Sequence, residues 1–167
     1  MDDEPSFAID QQTLRQLLDH PEELHQVAEG MPIKRLLKIT EAQLATLYKK
    51  ALFLLEKKLY GEASSAFACL SFFDGAKSEF WLGLGMALQM QHHYDSAVDS
   101  YELAAACDPE EPTPYLYLGK CFFALHEYQT SYDAFEMALV YAEGNPRFIS
   151  LVEQVRHALD LLKKQME

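Results

Sequence analysis

The chain has 167 residues, 49% hydrophobic and 24% charged, a globular balance with enough apolar material to build one core unaided. Its 26 Asp and Glu against 14 Lys and Arg leave a formal net charge of −12, which repels phosphate backbones and anionic lipid and argues against nucleic acid or a membrane surface as the main partner. No apolar run approaches the ~18 residues of a spanning helix, and Met1-Asp2-Asp3-Glu4 is acidic where a secretion signal is basic.

In chain order, the first expected element is a helical segment from about Gln11 to Gly30, carrying Leu14, Leu17, Leu18, Leu24 and Val27 and interrupted near His20-Pro21. Thr40 with Gln43 three residues on is a capping-box pattern that opens the next helix. From there the chain resembles itself. A shift of 34 residues aligns Tyr60, Tyr94 and Tyr128; Ala63, Ala97 and Ser131; Phe67, Tyr101 and Phe135; and Leu70, Ala104 and Ala138. Upstream the same shift aligns Ala51 with Gly85 and Gly119, and Leu54 with Leu88 and Phe122. A period of 34 is the length of a tetratricopeptide repeat, two helices per unit.

The first unit is worn: Ala63 and Phe67 fit and Leu47, Ala51 and Leu54 are tolerable, but Lys50 and Gly75 stand where Leu and Pro are expected. The second, opened by Ser78-Glu79, is nearly complete, with Trp81, Leu84, Gly85, Leu88, Ala97, Tyr101, Ala104 and Pro109. The third has Tyr115, Leu118, Gly119, Phe122, Ser131, Phe135 and Ala138, and its helix is expected to start at an N-cap Thr113 followed by Pro114. Asn145-Pro146 opens a last helix with Phe148, Leu151, Val152, Val155, Leu159 and Leu162 on one face and Lys163 and Lys164 near its end. The small residues of the Gly85 column mark close helix approach, and the large residues of the Tyr101 column fill the space toward the next unit. The expected fold is all-α, a right-handed α-solenoid of three tetratricopeptide repeats with flanking N- and C-terminal helices. It divides into residues 1–40, the repeats at 41–145 (units 44–77, 78–111 and 112–145) and a capping helix at 146–167.

In such a stack the first helices of the units line the concave face. Helical spacing places one stripe there: Tyr48, Leu52 and Leu55, then Leu82, Met86 and Gln89, then Leu116, Lys120 and Phe123, with Met90 adjacent. Apolar, Met-containing and aromatic, this lane suits an adaptable peptide-binding groove. Repeat proteins that clamp a C-terminal carboxylate do so with cations, and the corresponding sites here, Tyr48, Leu52, Gly83, Thr113 and Tyr117, hold none. Seven of the 14 basic residues fall between Lys34 and Lys58, whereas residues 59–119 hold nine acids and only Lys77 as a cation.

Nothing points to catalysis, a cofactor or a metal. The chain lacks Gly-x-Gly-x-x-Gly, a Walker loop, Gly-x-Ser-x-Gly and His-Glu-x-x-His. His92-His93 falls in the turn between paired helices, where adjacent residues rarely chelate one metal. Cys69, Cys107 and Cys121 form no Cys-x-x-Cys, have no metal-type spacing to histidine, and read as small buried or half-buried thiols of a reducing cytosol.

With Leu47-Tyr48 opening the first unit, Phe80-Trp81-Leu82-Gly83-Leu84-Gly85 the second, the Tyr94-Asp95-x-Ala97 turn and Leu118-Gly119-Lys120-Cys121 in the third, the chain resembles the class II chaperones of bacterial type III secretion systems. The resemblance covers about residues 40–160. It implies a bacterial cytoplasmic holdase that takes an extended N-terminal segment of hydrophobic translocator proteins, similar to Pro-x-Leu-x-x-Pro, into its groove and keeps them soluble and competent for secretion. It also implies a homodimer through the N-terminal helix. The other reading is a generic tetratricopeptide scaffold that bridges subunits of a cytosolic or secretion-platform complex.

Overall fold

The structure, a computed structural model, describes residues 32–166; the helix expected between Gln11 and Gly30, with its dimerising role, lies outside the described residues. Helix α1 is a single turn, Ile33–Leu36. Then come three helix pairs: α2 (Glu41–Glu56) with α3 (Tyr60–Phe73), α4 (Ser78–Met90) with α5 (Tyr94–Cys107), and α6 (Pro112–Ala124) with α7 (Tyr128–Ala142). A 3-10 turn, Pro146–Phe148, leads into α8 (Ile149–Met166). No strand occurs among the described residues.

Local chemistry sets the boundaries. The Thr40 hydroxyl accepts from the Gln43 amide at 3.2 Å while the Gln43 side chain accepts from the Thr40 amide at 2.9 Å, so the expected capping box closes. For α6 the cap differs from expectation. Glu111 is the N-cap, its carboxylate accepting from the Thr113 amide at 3.3 Å, and Pro112 and Pro114 both sit in the first turn. Proline has no amide to leave unsatisfied there, so the chain enters the helix two residues earlier than a Thr113 cap allows. Asn145 caps the 3-10 turn, not α8 itself.

Each turn within a pair has a left-handed residue: Lys58 (φ 62), His92 (φ 62) and His126 (φ 63), spaced 34 apart. Side chains with a Cβ resist that conformation. At two of the turns the histidine Nδ1 meets the hydroxyl of the tyrosine two residues on, His92 with Tyr94 at 2.8 Å and His126 with Tyr128 at 3.0 Å. Those histidines are turn residues, and no group of three metal-binding side chains forms among the described residues.

The core runs through the pairs and continues across the junctions between them. One cluster joins Phe67 and Leu70 of α3 to Phe80 and Ala87 of α4. A second joins Ala97 and Tyr101 of α5 to Leu118 and Cys121 of α6. The third joins Phe135 and Ala138 of α7 to Leu151, Val155 and Leu159 of α8. Helices cross so closely that a Cβ at Gly85 would lie 2.6 Å from the Tyr101 ring and one at Gly119 2.5 Å from the Phe135 ring. The Ser131 hydroxyl donates to the Gly119 carbonyl at 2.8 Å across the same gap. At the start of the stack Lys34 donates to the carboxylates of Asp74 and Glu41, and Lys77 reaches Glu41 at 3.0 Å, tying α1 to the first pair.

The cysteines correct the sequence reading in part. Cys121 is buried, but Cys69 and Cys107 are exposed, the Cys107 thiol donating to the Gly75 carbonyl at 3.3 Å. Burial pushes the Cys121 thiol up to about 12. Aromatic-disulfide titration at pH 8 is expected to label Cys69 promptly and Cys121 only in denaturant; prompt labelling of all three would show that the α5–α6 junction opens readily. Gly119→Ala is expected to destabilise the fold by ~1–3 kcal/mol in urea denaturation, since the buried Phe135 ring cannot retreat, and Gly119→Ala with Phe135→Leu should recover part of the loss.

Candidate functional site

Successive first helices touch one another, α2 with α4 and α4 with α6, and α8 touches α6 in the same way, while each second helix packs on the first helix that follows. The first helices therefore line the inner side of the stack, with α8 in the place a fourth would take. The register agrees: Ala87, Cys121 and Val155, 34 apart, are each fully buried.

On that inner side the ten lane residues fall into three groups. Leu52 (42% exposed), Met90 (52%) and Phe123 (37%) present apolar surface to solvent. Tyr48, Leu55, Leu82, Met86, Gln89 and Lys120 are half-buried. Leu116 is the correction: at 4% exposure it belongs to the core with Phe135, Leu151 and Val155, because α8 covers the last junction.

The half-buried members are held by the core beneath them. The Tyr48 ring lies 5.5 Å from Phe80 and 6.1 Å from Phe67, bridging the first two units; burial, with a smaller contribution from Glu79, raises the pKa of its phenol, which stays neutral. Leu55 packs on the first cluster and Leu82 and Met86 on the second. Gln89 accepts from the buried Tyr101 hydroxyl at 2.8 Å, which fixes the orientation of its amide. Lys120 lies 5.0 Å above the Tyr117 ring and donates to Gln154 Oε1 at 3.3 Å. Burial of its stem lowers its pKa.

The lane has members that the stripe on the first helices did not include. Tyr117, half-buried, stacks on Tyr101 at 5.3 Å and forms the floor under Lys120. Gln154, Ala158 and Leu161 of α8 border the lane's far end, where Lys120, Phe123, Phe135, Ala158 and Leu161 enclose a hollow of ≈140 Å³. The signal for Gln154 was present, since it stands 34 residues after Lys120. Chemically the lane offers aliphatic and aromatic surface, one fixed amide and one cation.

Tyr101→Phe tests the floor. Removing the hydroxyl should cost ~1 kcal/mol in urea denaturation and free the Gln89 side chain; an unchanged midpoint would mean that water replaces the bond.

No family model and no curated protein matches this sequence, whereas the folded chain matches solved structures closely. A chain of a type III secretion complex from Aeromonas hydrophila superposes with TM-score 0.83 at 24% identity, covering 87% of this chain and 97% of that one. The Yersinia enterocolitica type III secretion chaperone SycD, solved with a peptide of the translocator YopD, superposes with TM-score 0.74 at 28% identity, covering 77% and 98%. PcrH, solved with the chaperone-binding region of PopD, gives TM-score 0.75 at 22% identity over 77% and 97%. By fold and by extent, this chain is similar to the translocator chaperones of type III secretion systems.

Proposed function

We propose that this chain is a type III secretion chaperone of the bacterial cytoplasm. Its three repeats, at 44–77, 78–111 and 112–145, bind an extended N-terminal segment of a hydrophobic translocator along the lane from Tyr48 to Phe123. The bound client is thereby kept soluble and competent for secretion. The observation that carries this reading is the lane itself: Leu52, Met90 and Phe123 present apolar surface on a chain with net charge −12, on the fold for which SycD was solved with a translocator peptide. An apolar lane on one face of a helical stack is a surface that suits an extended partner. A segment similar to Pro-x-Leu-x-x-Pro suits the lane, because an extended chain exposes apolar side chains at intervals and proline lowers the entropy lost on binding.

The magnitudes set an expectation. Each anchor buried contributes ~1.5–3 kcal/mol. Three anchors less the several kcal/mol lost on association give roughly micromolar affinity for an isolated peptide. Tighter holding of the whole client needs further contacts. SycD is also solved as a dimer, and a homodimer of this chain belongs to the same reading. No helix among the described residues is long and apolar enough to cross a membrane.

Co-expression with a hydrophobic translocator of the same secretion locus, followed by light scattering on the soluble fraction, tests the proposal. A soluble complex of defined mass is expected. Leu52→Glu, which leaves the core untouched, should weaken a client peptide by about tenfold or more while circular dichroism stays unchanged. A translocator that still precipitates beside a soluble chaperone would favour the scaffold reading.

A further inference from the structure

Lys120 occupies an unusual electrostatic position. Between Lys77 and Arg147 it is the sole Lys or Arg, in a stretch crowded with Asp and Glu. Its stem is half-buried and its ammonium is held by the 3.3 Å bond to Gln154 and the Tyr117 ring. Among the described residues no carboxylate lies within ion-pair range of it. A partly desolvated cation served only by an amide and a ring gains from an anion that comes to it, and burial already lowers its pKa.

Beside this cation is the hollow of ≈140 Å³. Phe123 and Leu161, 37% and 46% exposed, stand at its edge, with Phe135 and Ala158 completing the wall. An apolar hollow near ~150 Å³ takes up a small hydrocarbon. The larger hollow of ≈530 Å³ between the end of α7 and α8 makes a contrast: its one cation, Arg156, already pairs with Glu143 at 2.9 Å, and Glu153 adds a further carboxylate. The hollow beside Lys120 combines an apolar wall with a charge that no carboxylate among the described residues pairs.

We propose that this hollow is an end subsite of the lane for an aliphatic side chain followed closely by a carboxylate, so that the client segment runs past the third repeat onto α8, with Leu or Ile in the hollow and Asp or Glu on Lys120. The inference rests on the function proposed above and adds to it the chemistry of the segment beyond the Pro-x-Leu-x-x-Pro core. Charge complementarity selects the occupant: a basic segment is repelled by Lys120, and a free anion has no use for the apolar wall.

The test uses the full chain and fluorescent synthetic peptides that share one Pro-x-Leu-x-x-Pro core. Each has a short Gly-Ser spacer, placed at either end, that terminates in Leu-Glu, Leu-Lys or Gly-Gly. Anisotropy should show the Leu-Glu peptide binding about tenfold tighter than the Gly-Gly peptide at one of the two ends, with Leu-Lys losing most of that gain. In Lys120→Glu the order of Leu-Glu and Leu-Lys should invert. In Ala158→Phe, which fills the hollow, the ratio between extended and unextended peptides should fall to about one, with circular dichroism checking the fold of both variants. If the core peptide binds but no extension changes its affinity, or if Lys120→Glu leaves the preference for Glu over Lys intact, the subsite is overturned and the chaperone reading stands. If the core peptide itself fails to bind, both fall together.

Discussion

The structure depends on one contact made three times, an aromatic ring of a second helix held against a residue that has no side chain to get in its way. Tyr101 lies against Gly85 and Phe135 against Gly119, so closely that a single added carbon would overlap the ring. Phe67 does the same across a unit boundary, against Gly83. Each of these rings also belongs to a cluster whose other half comes from the following helix pair or from α8. No pair can close its core by itself, so order in one unit is conditional on its neighbour, which is the energetic basis of a stack.

That arrangement explains which features were legible in the sequence. The 34-residue period is a statement about repeated contacts, and columns such as Ala97 with Ser131 or Tyr101 with Phe135 kept their size class because each has the same neighbours in successive units. Features that arise once are invisible to a period. Gly83 has no small counterpart at Tyr117: a Cβ at Gly83 would lie 2.2 Å from the Phe67 ring, whereas Tyr117 takes Tyr101 flat against it at an interplanar angle of 13°. Leu116 reads as a lane residue from its place beside Leu82, yet α8 adds Leu151 and Val155 at that junction and draws it into the core. The early start of α6 follows from two prolines and one glutamate, a local solution with no copy elsewhere. The left-handed residues at Lys58, His92 and His126 did repeat, but in residue types that do not announce a positive φ.

The same logic ties the lane to the fold. Tyr48, Leu82 and Met86 each give one side to a core cluster and the other to the inner surface. The surface is therefore preorganised: a ligand meets side chains whose rotamers are already set by packing, and loses less conformational entropy on binding than it would against a mobile loop. It also means that stability and recognition cannot be altered independently at these three positions. Leu52, Met90 and Phe123, more exposed, are the positions where recognition can change without disturbing the stack.

The last helix caps the core and also borders the lane. Its Val155 continues the buried column of Ala87 and Cys121, and its Gln154 stands one period after Lys120 and bonds to it. Sealing the core requires only the apolar stripe of Leu151, Val155, Leu159 and Leu162. Gln154, Ala158 and Leu161 lie to one side of that stripe and turn toward the lane. Leu161 remains nearly half exposed at the edge of a hollow, where a purely solvating helix would be expected to place a charged side chain. The helix thus ends the array for the core, and in the proposed reading extends it for a ligand. The inner surface in consequence runs one helix beyond the third repeat, and the sole cation of the last two repeats stands at the point where that extension begins.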